Sequence, residues 1–233
     1  DSETKIITLE DPIEYKLVGV NQSQVEHAAG YDFARGLKAI LRQDPDVVMV
    51  GEIRDFETAD TAVNAALTGH LVVSTIHTNS AAGAIPRFLA MGVKPFLLAP
   101  ALNAVIGQRL VRRICTTCKE EFKPEAETME RVVLALKSIS PKSGVHADLS
   151  KLTFYHGRGC QACSNLGYKG RIGIYEIMTM NTEIEKIVFS NSATEAELQE
   201  IAVRNGMVTM VQDGLLKALE GITSVEEVFK VAE

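Results

Sequence analysis

The chain lacks any apolar run approaching the roughly 20 residues that a helical bilayer crossing requires. Its most apolar stretch, Pro95 to Ile106, is interrupted by Pro100 and Asn103 and reads as a buried helix. The first residues, Asp-Ser-Glu-Thr-Lys, lack the basic-then-apolar layout of a signal peptide, so a soluble, intracellular chain is expected. Positive charge is in deficit, with 24 Lys and Arg against 30 Asp and Glu and a net charge of −6. That argues against a nucleic-acid binder, because phosphate contacts need a basic face. The local cluster Arg109, Arg112 and Arg113 reads equally well as a solvated helix end. There is no Gly-Lys pair, hence no Gly-x4-Gly-Lys-[Ser/Thr] loop to cradle a phosphate. No internal repeat or low-complexity segment is evident. Cysteine is scarce, and its four occurrences, Cys115, Cys118, Cys160 and Cys163, fall in two close pairs.

What is present reads as α/β. With 233 residues and 46% apolar content, the chain can bury a core as one large domain or two small ones. Ile6 to Leu9 is β-rich and should stop at Glu10-Asp11-Pro12, since proline cannot donate to a ladder. Phe33, Leu37, Ile40 and Leu41 share a helical face, with Asp32 as N-cap and Asp44-Pro45 as terminator. Val47 to Val50 reads as a strand buried on both faces. A small-residue helix with Ala59, Ala62, Val63, Ala66 and Leu67 on one side closes at Gly69, and Leu71 to Ile76 reads as a second buried strand ending at His77. This alternation predicts a parallel sheet, whose ligands gather at the carboxyl ends of its strands, where Glu10, Glu52 and His77 fall. Ser80 to Met91 reads as a helix interrupted by Pro86, and Pro100 to Ile114 as another with Leu102, Val105, Ile106 and Leu110 inward. The tail reads as helical, with Thr194/Glu197 and Ser224/Glu227 as candidate capping boxes.

The cysteine pattern carries the strongest chemistry. Two thiolates at x2 spacing grip one edge of a tetrahedron and a second such pair completes it, a closed shell suited to structural zinc. Two disulfides or four free thiols are the competing readings. The acidic positions are more ambiguous alone. Glu10-Asp11 is also a plain turn signal, whereas Gly51-Glu52 after an apolar strand has the shape of a strand-end acid that orients Mg²⁺ or water beside a phosphate. His70 and His77 flank one strand, and a lone histidine is more often a core or surface residue than a catalyst.

The order of motifs is more telling. Leu41-Arg-Gln-Asp-Pro-Asp-Val-Val-Met-Val-Gly-Glu-Ile-Arg-Asp55 strongly resembles the signature of secretion ATPases, the family that drives type II secretion and type IV pilus assembly. Thr8-Leu-Glu-Asp-Pro-Ile-Glu14 resembles its "Asp box", and Gly69-His-Leu-Val-Val-Ser-Thr-Ile-His-Thr78 its "His box". Gln108 to Cys115, the four cysteines and Gly167 to Glu176 follow in the family's order, and the four-cysteine module is similar to that of secretion and pilus-extension rather than pilus-retraction ATPases.

The resemblance implies a partial RecA-like parallel sheet core (1–114), a tetracysteine zinc-bearing insertion (115–178) and a helical C-terminal part (179–233). It implies that Glu10 polarises the attacking water and that Glu52 helps hold Mg²⁺, with Gly51 in the usual aspartate's place. His77, and with it His70, would sense the γ-phosphate. Asp11, Gly51, Arg54 and the glycine-rich segment's Arg171 join the nucleotide-binding candidates. It further implies a cytoplasmic homo-hexameric ring working on an inner-membrane platform protein, with ATP and Mg²⁺ as substrate and cofactor. In the family the phosphate loop lies upstream of the acidic box. These 233 residues are therefore expected to be inactive by themselves. The competing expectation is a non-catalytic, zinc-stabilised interaction module derived from such an ATPase; a zinc-ribbon nucleic-acid binder ranks below both.

Overall fold

The computed structural model describes residues 3–232; Asp1 and Ser2, which open the stretch read against a signal peptide, and Glu233 lie outside the described residues. The chain divides into two units, one of Asp1–Asn103 with Met180–Leu198, the other of Ala104–Thr179 with Gln199–Glu233.

In the first unit a four-stranded parallel sheet runs in the order β2 (Asn21–Gln24), β1 (Ile6–Glu10), β3 (Val47–Val50), β4 (Leu71–Ser74). Between the strands, α1 (Phe33–Leu41) and α2 (Phe56–Leu67) cover one face of the sheet. Ile7, Leu9, Val48 and Val50 point into that layer against Leu37 and Ile40, each 2% exposed or less. Burial of this kind stabilises by about 1.5–3 kcal/mol per large apolar side chain. Both helices open on an aspartate: Asp32 accepts from Arg35 N at 2.8 Å and Asp55 from Thr58 N at 2.9 Å. Gly69 follows the end of α2 with φ +103°, the left-handed position that favours glycine.

Two strand expectations need correction. β3 is fully buried on one face only, at Val48 and Val50, and β4 is an edge strand with Leu71 57% and Val73 49% exposed. The physical reason is that α1 and α2 pack on a single face, so the odd positions of both strands lie outside that layer. Past β4 the chain forms α3 (Ala84–Ala90), with Pro86 in its first turn where a missing N–H costs nothing, and α4 (Pro95–Ala101). A further helix at Thr182–Phe189 packs on α4.

The second unit corrects the helix expected over Pro100 to Ile114. From Ala104 the chain is a strand, β5 (Ala104–Ile114), paired antiparallel with β8 (Tyr168–Thr179). Burial alternates as far as Val111, which is buried, while Ile106 and Leu110, expected inward, are 62% and 47% exposed; a register shift between Arg112 and Ile114 then leaves Ile114 buried. Period-2 burial on a paired ribbon overrides the helical spacing of the same residues. A short ribbon of β6 (Lys119–Phe122) and β7 (Phe154–Gly157) brackets α5 (Ala126–Lys137). The tail is helical as expected, with α6 (Thr182–Phe189) in the first unit, α7 (Glu195–Arg204) across the unit boundary, α8 (Met210–Leu219) and α9 (Val225–Ala232). Val132, Leu136, Phe154, Leu215, Ala218, Val225 and Val228 form the core that joins α5, β7, α8 and α9.

Thr194 and Ser224 each accept from the backbone N–H three residues on, at 3.3 Å, and Thr209 with Gln212 forms a reciprocal capping box at the start of α8. Glu227 turns its side chain elsewhere. It takes Arg112 Nη2 at 2.5 Å and Arg112 N at 3.1 Å, tying α9 to β5, and is 5% exposed. The Arg112 hydrogen bond holds the Glu227 carboxyl below its ordinary range against the opposing effect of burial. A depressed carboxyl contributes stability above its unfolded value and loses it as pH falls through the folded one. Thermal melts should therefore show the wild-type protein losing stability on acidification below about pH 4. Glu227→Gln should lower stability by about 1–3 kcal/mol at neutral pH and flatten that acid limb.

Candidate functional site

Three parallel strands deliver their carboxyl ends side by side in the first unit. Leu9 is in register with Val50, and Val50 with Ser74. The ladder continues past the strands through Gly51 N to Leu9 O at 2.7 Å and Ile53 N to Thr75 O at 2.9 Å. Thr75 Oγ1 donates to Gly51 O at 2.6 Å and Ser74 Oγ to Val50 O at 2.8 Å, so the turn carrying Glu52 is fixed from both sides. Glycine at 51 allows the close approach: a Cβ there would lie 3.1 Å from Leu9 O and 3.5 Å from Glu10 Cα.

On this scaffold His77 Nε2 lies 3.1 Å from Glu52 Oε2, and Arg54 Nε donates to the same oxygen. The Glu52 side chain is only 14% exposed, whereas those of His77 and Arg54 are 76% and 70% exposed. An inward acid is thus flanked by two outward nitrogen groups, leaving the rim accessible. Glu10 closes the adjacent strand end, where its Oε1 accepts from Thr8 Oγ1 at 2.5 Å and Gln22 Nε2 at 2.9 Å. Asp11 faces away to His27 Nε2 at 3.1 Å. His70 is not brought to this cluster. It precedes β4, at the opposite end of that strand from His77, and its Nδ1 contacts Ala65 O at 3.0 Å at the end of α2. Arg171 belongs to the second unit, opposite Arg112 on the β5–β8 ribbon. Thr8 and Gln22 share one oxygen of Glu10; Thr8 stands at the head of the acidic motif with no role assigned to it, and Gln22 lies outside every motif. Thr8 was the readable clue, as a buried hydroxyl two residues before the acid on an otherwise apolar strand.

The four cysteines form a second site, within the second unit. Their sulfurs all lie within 4.8 Å of one another. Cys115 and Cys160 are 3.9 Å apart, Cys118 and Cys163 3.9 Å, and Cys160 and Cys163 3.8 Å. A disulfide would need about 2.05 Å. A tetrahedron built on metal–sulfur bonds of about 2.3 Å has edges of about 3.8 Å. All four cysteines are free, and the donor set fits a thiophilic divalent ion. The loop between Cys160 and Gly167 folds back so that Cys160 N and Gly167 N point at the Cys163 sulfur at 3.2 and 3.3 Å, and Gly159 N at that of Cys118 at 3.3 Å. Gly167 does this with φ +75°, again a glycine position.

Burial drives the Cys118 thiol up to about 12. Burial also opposes charge on Cys163, but the N–H groups of Cys160 and Gly167 hold it at about 6. Cys115 is lowered as well, chiefly by the backbone at Thr117. Four sulfurs this close cannot all carry charge unless a cation neutralises them, and a bound dication supplies that.

The parallel sheet carries acids, an arginine and an imidazole at its strand ends, and the comparisons with known proteins say to which family such a sheet belongs here. The family model described as "Type II/IV secretion system protein" matches residues 1–230, and the chain belongs to that family. It is 52% identical over 222 residues to the type IV pilus assembly ATPase PilB of Thermus thermophilus, covering 95% of this chain and 24% of that one. It is 47% identical over 231 residues to the type II secretion system protein E of Pseudomonas aeruginosa, covering 99% of this chain and 43% of the other. The chain thus spans less than half of the length of these relatives. Among solved structures it resembles that of the pilus retraction motor PilT with bound ADP, at 27% identity and a TM-score of 0.62 over 98% of this chain and 52% of the other.

The sulfur geometry predicts that titration of the purified chain with Co²⁺ produces the intense absorption of tetrahedral thiolate coordination at one equivalent. Cys118→Ser should abolish that band and destabilise the region between residues 115 and 163.

Proposed function

We propose that this chain is the C-terminal catalytic portion of an ATP-hydrolysing motor subunit that powers type IV pilus assembly or type II protein secretion. The observation that carries the reading is the meeting of Glu52, His77 and Arg54 at one oxygen, beside the strand end that bears Glu10. Phosphoryl transfer asks a protein for charge neutralisation and an oriented water rather than covalent chemistry. In this reading Glu10 takes the proton of the attacking water. Glu52 would hold Mg²⁺, which would supply neutralisation of phosphate charge, and Arg54 keeps the carboxylate turned inward. His77, anchored on Glu52 and open to solvent, reports the terminal phosphate to the strand end. The core is the later part of a RecA-like sheet. The four cysteines, which fall at the ends of β5, β6, β7 and β8, would hold structural zinc.

The proposal extends to a cytoplasmic homo-hexameric ring that drives an inner-membrane platform protein by conformational change; the names of the relatives support the work done, pilus assembly or secretion. Among the described residues no helix is long and apolar enough to cross a membrane. Arg171 joins the nucleotide-binding candidates through its glycine-rich segment. His70, packed on the end of α2, is assigned a structural role in place of the phosphate contact first expected.

The sequence contains no Gly-x4-Gly-Lys loop, and without backbone amides and a lysine around the β- and γ-phosphates tight ATP binding is hard to sustain. These 233 residues should therefore hydrolyse ATP negligibly by themselves, and the longer polypeptide should hydrolyse it when a phosphate loop precedes them. The same missing loop favours the second reading, a zinc-stabilised interaction module without catalysis.

Phosphate release by the longer protein separates the two readings. Glu52→Gln should cut turnover at least about a hundredfold with folding intact, and metal analysis should find one zinc per chain. Ordinary turnover by Glu52→Gln would refute the assignment.

A further inference from the structure

We infer that Thr8 and Gln22 are positioning residues that hold Glu10 by a single carboxylate oxygen and aim the other at the reacting water. The inference rests on the proposed role of Glu10. β1 and β2 pair in parallel with Thr8 opposite Gln22 and Glu10 opposite Gln24, so Thr8, Glu10 and Gln22 share one face of the sheet. Thr8 Oγ1 and Gln22 Nε2 both donate to Oε1 of Glu10, at 2.5 and 2.9 Å. No hydrogen bond within the described residues goes to Oε2. A carboxylate held by two donors on one oxygen has its rotation about the terminal bond fixed, and its second oxygen is left free to accept a proton.

Two features separate this arrangement from ordinary packing. Thr8 is 3% exposed on a strand whose other buried positions are Ile7 and Leu9, where a valine would fill the same space. Its hydroxyl is spent on Glu10. Gln22, for its part, uses both ends of its amide. Besides Glu10, its Nε2 donates to Tyr15 O at 2.9 Å and its Oε1 accepts from Leu17 N at 2.8 Å. The same side chain therefore fixes the acid and the loop after it, whose Tyr15, Leu17 and Val18 are 79%, 55% and 105% exposed. Movement of that loop would be transmitted to Glu10 through one amide.

The test uses the full-length ATPase and compares Thr8→Val, Thr8→Ser, Gln22→Met and Glu10→Gln by steady-state phosphate release and melting temperature. Thr8→Val should lower kcat about tenfold with the KM for ATP within about twofold of the parent, because only orientation is lost. Thr8→Ser should restore the rate. Gln22→Met should lower kcat similarly and speed hydrogen exchange at the Leu17 amide, which Thr8→Val leaves unchanged. Should Thr8→Val prove poorly folded, Gln22→Met and Thr8→Ser decide. A kcat within about twofold of the parent in Thr8→Val and Gln22→Met, alongside a dead Glu10→Gln, overturns the positioning role alone. Turnover surviving in Glu10→Gln overturns the role of Glu10 itself, and the positioning inference with it.

Discussion

In-register parallel pairing of β1 with β3 and of β3 with β4 is the constraint from which the candidate site follows. Three strands that run the same way and end at the same height place the residues after them side by side, whatever those residues are. Glu10, Glu52 and His77 inherit their places at or just past neighbouring strand ends from backbone hydrogen bonds. The extension of the ladder through Gly51 and Ile53 is what turns Glu52 inward rather than letting its loop splay. The helices α1 and α2 hold this register by burying Leu9, Val48 and Val50 on one face, so a slip of one residue would expose all three at once.

The second unit solves a different problem. Its long β5–β8 ribbon has two strands and cannot bury both faces, so its stability is drawn from α8 and α9 on one side, with α5 packed on α8, and from the sulfur cluster at one end. The Arg112–Glu227 pair joins residues far apart in the chain and fastens the tail to the ribbon just before Cys115. A bound dication at the four sulfurs would fix the same end of the ribbon that Glu227 fixes from the tail.

Much of the first unit was legible because its signals are local. Asp32 caps the helix it precedes, Asp44-Pro45 stops it, and Val47 to Val50 is a strand between them. The two Cys-x2-Cys turns were equally readable, since each half of a sulfur tetrahedron is set by a spacing of three residues. Ala104 to Ile114 was misread for a physical reason. Leu102, Val105, Ile106 and Leu110 satisfy helical spacing, and only pairing with Tyr168–Thr179, distant in sequence, selects the strand. Glu227 looked like half of a capping box, yet its carboxylate is claimed by Arg112. Gln22 carries no signature and Thr8 only its place at the head of the acidic motif, because their relation to Glu10 exists only once β1 and β2 are paired.

The most direct test of the account is a structure of the full-length protein with Mn²⁺ and a non-hydrolysable ATP analogue. The account predicts an anomalous Mn²⁺ peak beside the Glu52 carboxylate, with the terminal phosphate facing Glu10 and His77. A metal and triphosphate bound away from the carboxyl ends of β1, β3 and β4, with Glu10 and Glu52 untouched, would contradict it.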